Sequence, residues 1–472
     1  MGSISSSLLS SSNAANSIDL SNILEAATGS STPGIDVTEA VNAAVTAAEA
    51  PEDTWQSQES TLSSQSSALT AIQTAATNLD NDAQALNSLS GSLSSTTVSS
   101  SNSNVVTATA TSGAVTGNNV IVVNNLATTA SFSSDAVASG TTDLPAETIT
   151  ITPSGGTATT ITTGSGVDTL TDLVNAINSS GAGVTANIIN DASGSQLSIV
   201  SNTSGSAGAF TVSSSGSFGF TQGNQGLNAA LTVNGIAITS ASNTVTGVIP
   251  GLTLNLLGVS PAGTQASLTV APDTTAASTA INQFVTDFNT LIGDLNTQFT
   301  DTAGSGEGPL AQDPTVQSLQ SDLLGALGFT STTGSGSSAT TTSLASLGIT
   351  VNTDGTLSVN SSTLNGALTN NFSSVQNFFQ GASLNGFASS LNQQLTSFIS
   401  PADGAFTVDL QSMQTEFTGL QSDITNFQNN VITPLKAQLQ TQFSAAEIAL
   451  QQLPVELKDV DEELGINNSS SN

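Results

Sequence analysis

Trp55–Leu93 reads WQSQESTLSSQSSALTAIQTAATNLDNDAQALNSLSGSL, and its seven-residue rhythm decides how the rest of the chain is read. Trp55, Leu62, Leu69, Ala76 and Ala83 fall in one column, and Ile72, Leu79, Leu86 and Leu93 fall in another. Two such columns are the a/d seam of a coiled coil. Gln58 and Gln65 stand in the second column near its start, which predicts a weaker, partly solvated seam there.

A second seam lies near the other end. Leu410, Met413, Phe417, Leu420, Ile424, Phe427 and Val431 alternate by three and four. Leu435, Leu439, Phe443, Ala446, Leu450, Leu453, Leu457, Val460 and Leu464 continue in a shifted phase, and Pro434 marks the shift. Proline is tolerated at the first position of a helix but costs about 3 kcal/mol inside one. Thr433 is therefore expected to cap a new helix, with a break or kink at Pro434 and again at Pro454, and with a frayed segment after Leu453.

Between the seams the period changes to two. Val105–Thr109, Asn119–Val123, Thr148–Ile151, Val184–Ile189, Gln196–Val200, Ala230–Ile238, Thr253–Leu257 and Ser267–Val270 read as strands. One helix interrupts them, with Leu170, Leu173, Val174 and Ile177 on one face and Gly181 as a stop. Helix returns after Pro272-Asp273-Thr274, where Ile281, Phe284, Val285, Phe288, Leu291, Ile292, Leu295 and Phe299 make a broad apolar stripe. A Gly/Ser/Thr-rich stretch at 330–342 interrupts the region that follows, and Leu364–Phe379 and Leu391–Phe398 also look helical.

Seams on both sides of a β region are most simply satisfied by pairing with each other. The expected fold is therefore α+β and multi-domain: terminal helices paired as a coiled-coil or helical-bundle stalk, with a central β-rich head of one or two subdomains. The expected divisions are a disordered or partner-ordered N-terminal leg over 1–50, a stalk helix over 51–98 and the head over 99–273. Helical stalk segments with loops follow over 274–410, then C-terminal coiled-coil helices over 411–453 and a frayed leg over 454–472. In the N-terminal leg a short Ala-rich helix is expected between Thr38, as its cap, and Pro51. The predicted assembly seam comprises Trp55, Leu62, Leu69, Ile72, Leu79, Leu86 and Leu93, and Met413, Phe417, Leu420, Ile424, Phe427, Val431, Leu435, Leu439, Phe443 and Leu450.

Composition narrows the function. The 472 residues hold 34 Asp and Glu, 2 Lys and Arg, and no His, for a formal charge of −32. No basic surface exists to neutralise phosphates, which argues against nucleic acid and anionic membranes as partners. No stretch approaches the ~20 continuous apolar residues of a membrane span, and residues 1–34 lack the basic region and apolar core of a cleavable signal. Without His, Cys or Tyr, acid–base chemistry would fall to carboxylates. The densest sets, Asp80/Asp82 and Asp459/Asp461/Glu462/Glu463, read more simply as solvated helix faces, so no catalytic, cofactor or metal site is expected. Asn352-Thr353-Asp354-Gly355 begins like a calcium loop but lacks the later ligands, and a turn between strands explains it better.

Several segments resemble the flagellar hook-associated protein 2 family. Gly34-Ile35-Asp36-Val37 leading to Ala48-Glu49-Ala50-Pro51 is similar to the family's N-terminal motif, and Leu170–Asn190 resembles a repeat of flagellins and hook proteins. Leu231-Thr232-Val233-Asn234-Gly235-Ile236 and Asn243–Leu254 match its middle pattern. Gly308-Pro309-Leu310, Leu347-Gly348-Ile349, Asp354–Val359 and Gln442-Phe443-Ser444-Ala445 match its C-terminal region. The family's final helix is usually rich in Lys, Arg and Glu, whereas Lys436 and Lys458 are the only cations here.

The resemblance implies a secreted structural cap at the flagellar tip: a homo-oligomeric ring, often a pentamer, that promotes flagellin folding, prevents monomer loss and is needed for motility. It implies flagellin, the hook–filament junction proteins, the flagellar type III export apparatus and a cytoplasmic export chaperone as partners. The alternative reading from composition is an extracellular Ser/Thr-rich adhesin on a helical stalk, and cap proteins can also adhere to surfaces.

Overall fold

The computed structural model describes residues 36–300, 306–334 and 339–463. The apolar positions expected in the leader, Ile4 to Leu24, and Leu464 lie outside the described residues. Helix α1 (Val37–Ala48) is followed after Glu49 by α2 (Ala50–Asn87), which carries the first seam. Its cap is Asp36, not Thr38: the Asp36 carboxylate accepts from the Thr38 and Glu39 amides.

The head is two β units, one inserted in the other. The outer unit uses β1 (Thr96–Ser100), β2 (Val106–Ala110) and β3 (Gly117–Asn125). After an excursion it resumes with β11 (Ala229–Val233), β12 (Ile236–Ser240), β13 (Thr244–Thr246), β14 (Leu252–Leu256) and β15 (Ala266–Pro272). The sheets β1-β15-β3-β11-β12 and β13-β14-β2 enclose Val106, Ile121, Val123, Leu231, Leu254 and Leu268. The expected single strand Ala230–Ile238 is in fact the hairpin β11–β12. Asn234 and Gly235 both have positive φ, 51° and 84°, which reverses the chain in two residues.

The excursion is the inner unit: β4 (Thr129–Ser134), β5 (Thr148–Pro153), β6 (Thr159–Thr162), helix α3 (Leu170–Ser179), β7 (Val184–Asp191), β8 (Gly194–Ser204), β9 (Phe210–Ser214) and β10 (Phe220–Gln222). Sheets β10-β4-β8-β7 and β6-β5-β9 pack with α3 over Ile149, Ile151, Leu173, Ile177, Leu197 and Ile199. Thr169 and Asp172 form a reciprocal capping box that starts α3.

Below the head run α4 (Thr274–Phe299), α5 (Pro314–Ala326), α6 (Ser361–Asn370), α7 (Phe372–Phe379), α8 (Phe387–Ile399) and α9 (Ala405–Phe427). The last helix is α10 (Thr433–Glu463). Two hairpins lie among them, β16 (Thr330–Thr333) with β17 (Thr340–Ser343) and β18 (Ile349–Val351) with β19 (Leu357–Val359). The region expected to be helical with loops is thus mixed. Asp354-Gly355 forms the turn of the second hairpin, where Asp354 Oδ1 accepts from the Thr356 amide and hydroxyl.

Four sequence expectations need correction here. Helix α2 ends at Asn87, so Leu93 is buried in the same core from a turn rather than from the helix. The first strand starts at Thr96, three residues before the expected edge of the head. No break occurs at Pro434: a π-helical segment, Gln428–Ile432, joins α9 to α10, and Thr433 is already helical. The wider π turn absorbs the change of phase and gives room where a proline ring crowds the carbonyl four residues back. Helix α10 also runs through position 454 to Glu463, where fraying was expected.

Glu147 fastens the inner unit. Nine-tenths buried, its carboxylate accepts from the Ser217 and Phe218 amides and from the Ser214 and Ser217 hydroxyls, bridging β5 to the segment after β9. These donors, led by the Ser214 hydroxyl, hold its carboxyl below the ordinary value of 4.5. A lowered folded value means the contribution is present above 4.5 and is lost as pH falls through the folded value. Melting followed by calorimetry should show the inner unit weakening as pH falls below 4.5, and Glu147→Gln should lower its melting temperature at neutral pH and remove that acid-side slope.

Candidate assembly surface

Three helices cover the first seam. Helix α2 packs on α4, α8 and α9, burying Leu69, Ile72, Leu79, Ala83 and Leu86 completely or nearly so. At the head end of this core Phe284, Phe288, Phe378, Phe379 and Phe387 interlock, with Phe378 and Phe387 stacked at 5.5 Å. Aromatic pairs of this kind add about 0.5–1.5 kcal/mol each beyond their burial.

Helices α2 and α9 run antiparallel. Trp55, near the start of α2, meets the edge of Phe427, at the end of α9, with ring centroids 5.4 Å apart. Glu52 accepts there from the side-chain amide of Gln428. Further up, Leu62 faces Met413 and Phe417 across a cavity of about 150 Å³. Higher still the helices part, leaving a groove of about 720 Å³ lined by Gln73, Thr77, Ile399, Pro401, Leu410 and Gln411. Gln65, half-buried, donates to the Pro309 carbonyl.

The two halves of the predicted seam fare differently. From Leu62 to Leu93 the named residues are buried within the chain, whereas Met413, Phe417, Leu420, Ile424, Phe427, Leu435, Leu439 and Phe443 are half-buried. Val431 is 45% exposed and Leu450 45%. Helix α1 covers part of this surface: Val41 and Val45 pack on Ile432, with Leu439 and Phe443 at the margin. Residues 37–48, expected in a leg without order of its own, are therefore held by the chain's own Ile432 and the first turns of α10. Among the described residues α1 covers nothing beyond Phe443, and Ile448, Leu453 and Val455 are 57%, 50% and 59% exposed. Sequence periodicity found the column; the change from covered to uncovered depends on where α1 stops.

Asp80 and Asp82, read from sequence as a solvated face, are placed otherwise. Asp80 is buried and accepts from Gln84 at 2.6 Å and from Asn392 at 2.6 Å. Only the first partner is local, so nothing near Asp80 in sequence signals its burial. Asp82 faces Asp287 across α2 and α4. Burial first, then the hydrogen bond and charge shared with Asp287, raise its carboxyl from 3.8 to about 7. Among the described residues no cluster of three or more metal-binding side chains occurs, and no helix is long and apolar enough to cross a membrane.

Three family models match in chain order: flagellar hook-associated protein 2 N-terminus over residues 33–130, the flagellin hook IN motif over 148–203, and flagellar hook-associated protein 2 C-terminus over 226–454. The chain belongs to the flagellar hook-associated protein 2 family.

Several solved structures are similar to parts of this chain. The D1-D2-D3 domains of the Escherichia coli flagellar cap protein FliD are 28% identical, with a TM-score of 0.56, covering 74% of this chain and 99% of that one. The Escherichia coli FliD D2-D3 domains match at 30% identity over 38% of this chain and 100% of that one, TM-score 0.34. FliD (HAP2) from Pseudomonas aeruginosa PAO1 matches at 28% identity over 42% and 98%, TM-score 0.37. No curated protein matches. Hook-associated protein 2 is a structural family of the flagellar filament cap, outside the cell, and the helical stalk with a β-rich head is its architecture.

The facing carboxyls make one property of this family member testable. Because the folded value of Asp82 lies above 3.8, its contribution to stability is full below 3.8 and is lost as pH rises through about 7. Urea unfolding at pH 8 should find Asp82→Asn more stable than the parent by about 1 kcal/mol, a figure reduced for solvent screening, with the difference shrinking as pH falls through about 7 and vanishing below 3.8.

Proposed function

We propose that this chain closes the distal tip of a bacterial flagellar filament as a ring of identical subunits, holding emerging flagellin until it folds into the filament. The observation that supports this reading is the contrast along the stalk: the α2 seam is sealed within the chain, while α10 leaves Ile448, Leu450, Leu453 and Val455 open. A helix apolar on several sides and uncovered is stable in water only when something packs on it. At the filament tip those partners are flagellin subunits and neighbouring cap subunits, and before a filament exists they are the hook–filament junction proteins.

The same helix explains the route out of the cell. An open apolar C-terminus is what a cytoplasmic export chaperone covers, and the flagellar type III apparatus then carries the chain to the tip. The predicted seam residues divide accordingly: Trp55 to Leu93 hold the subunit together, and Val431 to Leu450 serve assembly. Cells lacking the chain would lose flagellin monomers to the medium and lose motility.

Negative-stain electron microscopy of the full-length protein beside a variant lacking residues 1–50 and 435–472 tests the ring. Closed rings with legs from the full-length chain, and failure of the trimmed one to form stable assemblies, are expected. Monodisperse monomers of the full-length chain at high concentration would contradict the reading.

A further inference from the structure

Charge along the stalk is distributed very unevenly. The chain has two cations, Lys436 and Lys458, against 34 carboxylates, and both are exposed on α10. Neither makes an ion pair among the described residues. Lys458 has Asp461 and Glu462 three and four residues on in sequence. Lys436 has no such neighbour: the positions one turn away are Ile432, Thr433, Leu439 and Gln440. The one acidic residue within the covering helix, Glu39, is exposed and not paired with it.

Lys436 also stands at a boundary. Ile432, Leu439 and Phe443 beside it are covered by α1, and the uncovered apolar surface of Ile448, Leu450 and Leu453 begins three turns further on. Two copies of a chain carrying −32 repel. Any side-chain ion pair between copies must use Lys436 or Lys458, because no other cation exists. Carboxylates to receive it are plentiful on the preceding helix, where Glu416 and Asp423, seven residues apart, are exposed and have no cation of their own chain.

We propose that Lys436 is the charged contact through which α10 of one copy docks on a carboxylate of a second copy. This rests on the ring of identical subunits proposed above. A single lysine contact between like-charged copies sets register and excludes wrong neighbours more than it adds affinity. Its removal should weaken self-association about fivefold per contact, the scale of an exposed ion pair.

So few amines make the test direct. Carbodiimide joins an amine to a carboxylate in contact with no added atoms, and only Lys436, Lys458 and the N-terminal amine can react. Assemblies made from an equal mixture of ¹⁴N and ¹⁵N full-length protein would be coupled, digested and analysed by mass spectrometry. Peptides joining Lys436 of one isotope to a carboxylate of the other are expected. Sedimentation velocity should show Lys436→Gln assembling about fivefold more weakly, with reduced salt dependence, and Lys436→Arg assembling like the parent. Circular dichroism checks that the variants fold. If Lys436 couples only within its own chain, or Lys436→Gln assembles with unchanged strength and salt dependence, the inference is overturned while the ring stands. If the parent itself never assembles, both fall.

Discussion

Everything in this molecule hangs on covering the seam of α2. That helix is rich in Ser, Thr and Gln, and of its 38 residues only a narrow apolar line runs from Leu62 to Leu86. Exposed, such a helix would be marginal, since helices in water draw most of their stability from packing. Its cover comes from α4, α8 and α9, all of which follow the head in sequence. The chain must therefore leave the stalk, build the two nested β units and come back before its first long helix is secure. The same return places α1 against α10 at one end of the bundle.

Amides stand in this protein where others use salt bridges. Gln428 meets Glu52, and Gln84 and Asn392 meet Asp80. At the neck Gln376 donates to the Leu93 carbonyl and Gln380 to Ser88 and Ser94, tying α7 to the turn that enters the head. Asn289 exchanges two hydrogen bonds with the backbone of Leu357, fixing β19 to α4. A neutral amide satisfies a buried carboxylate or carbonyl without bringing a second charge out of water, so it avoids much of the desolvation cost of a buried ion pair. Among the described residues Asp82 has no such donor, and burial first, then Asp287 facing it, raise its carboxyl.

Strong periodicity was legible and long-range pairing was not. The heptad columns of α2 and α9 and the stripe of α4 announced the bundle, because a seven-residue repeat has few other uses. Strand β4, Thr-Ala-Ser-Phe-Ser-Ser, carries one large apolar residue and gives no alternation to read, yet it is central to its sheet. The Thr-rich hairpin β16–β17 is silent for the same reason. Pro434 was rightly read as a disturbance of phase, but whether a helix breaks or takes up a π turn depends on what lies across from it, here α1 over Ile432. The burial of Asp80 depends on Asn392, more than three hundred residues away, a pairing no local pattern encodes.

Hydrogen exchange on the full-length protein, free and assembled, tests the central claim most directly. The account predicts that amides from Leu69 to Leu86 are among the most protected in the free subunit and stay so on assembly. Those from Ile448 to Glu463 should exchange readily when free and become protected only in the assembly. Equal protection of both stretches in the free subunit, or no gain in the second on assembly, would contradict the division between a self-contained stalk and an assembly-dependent leg.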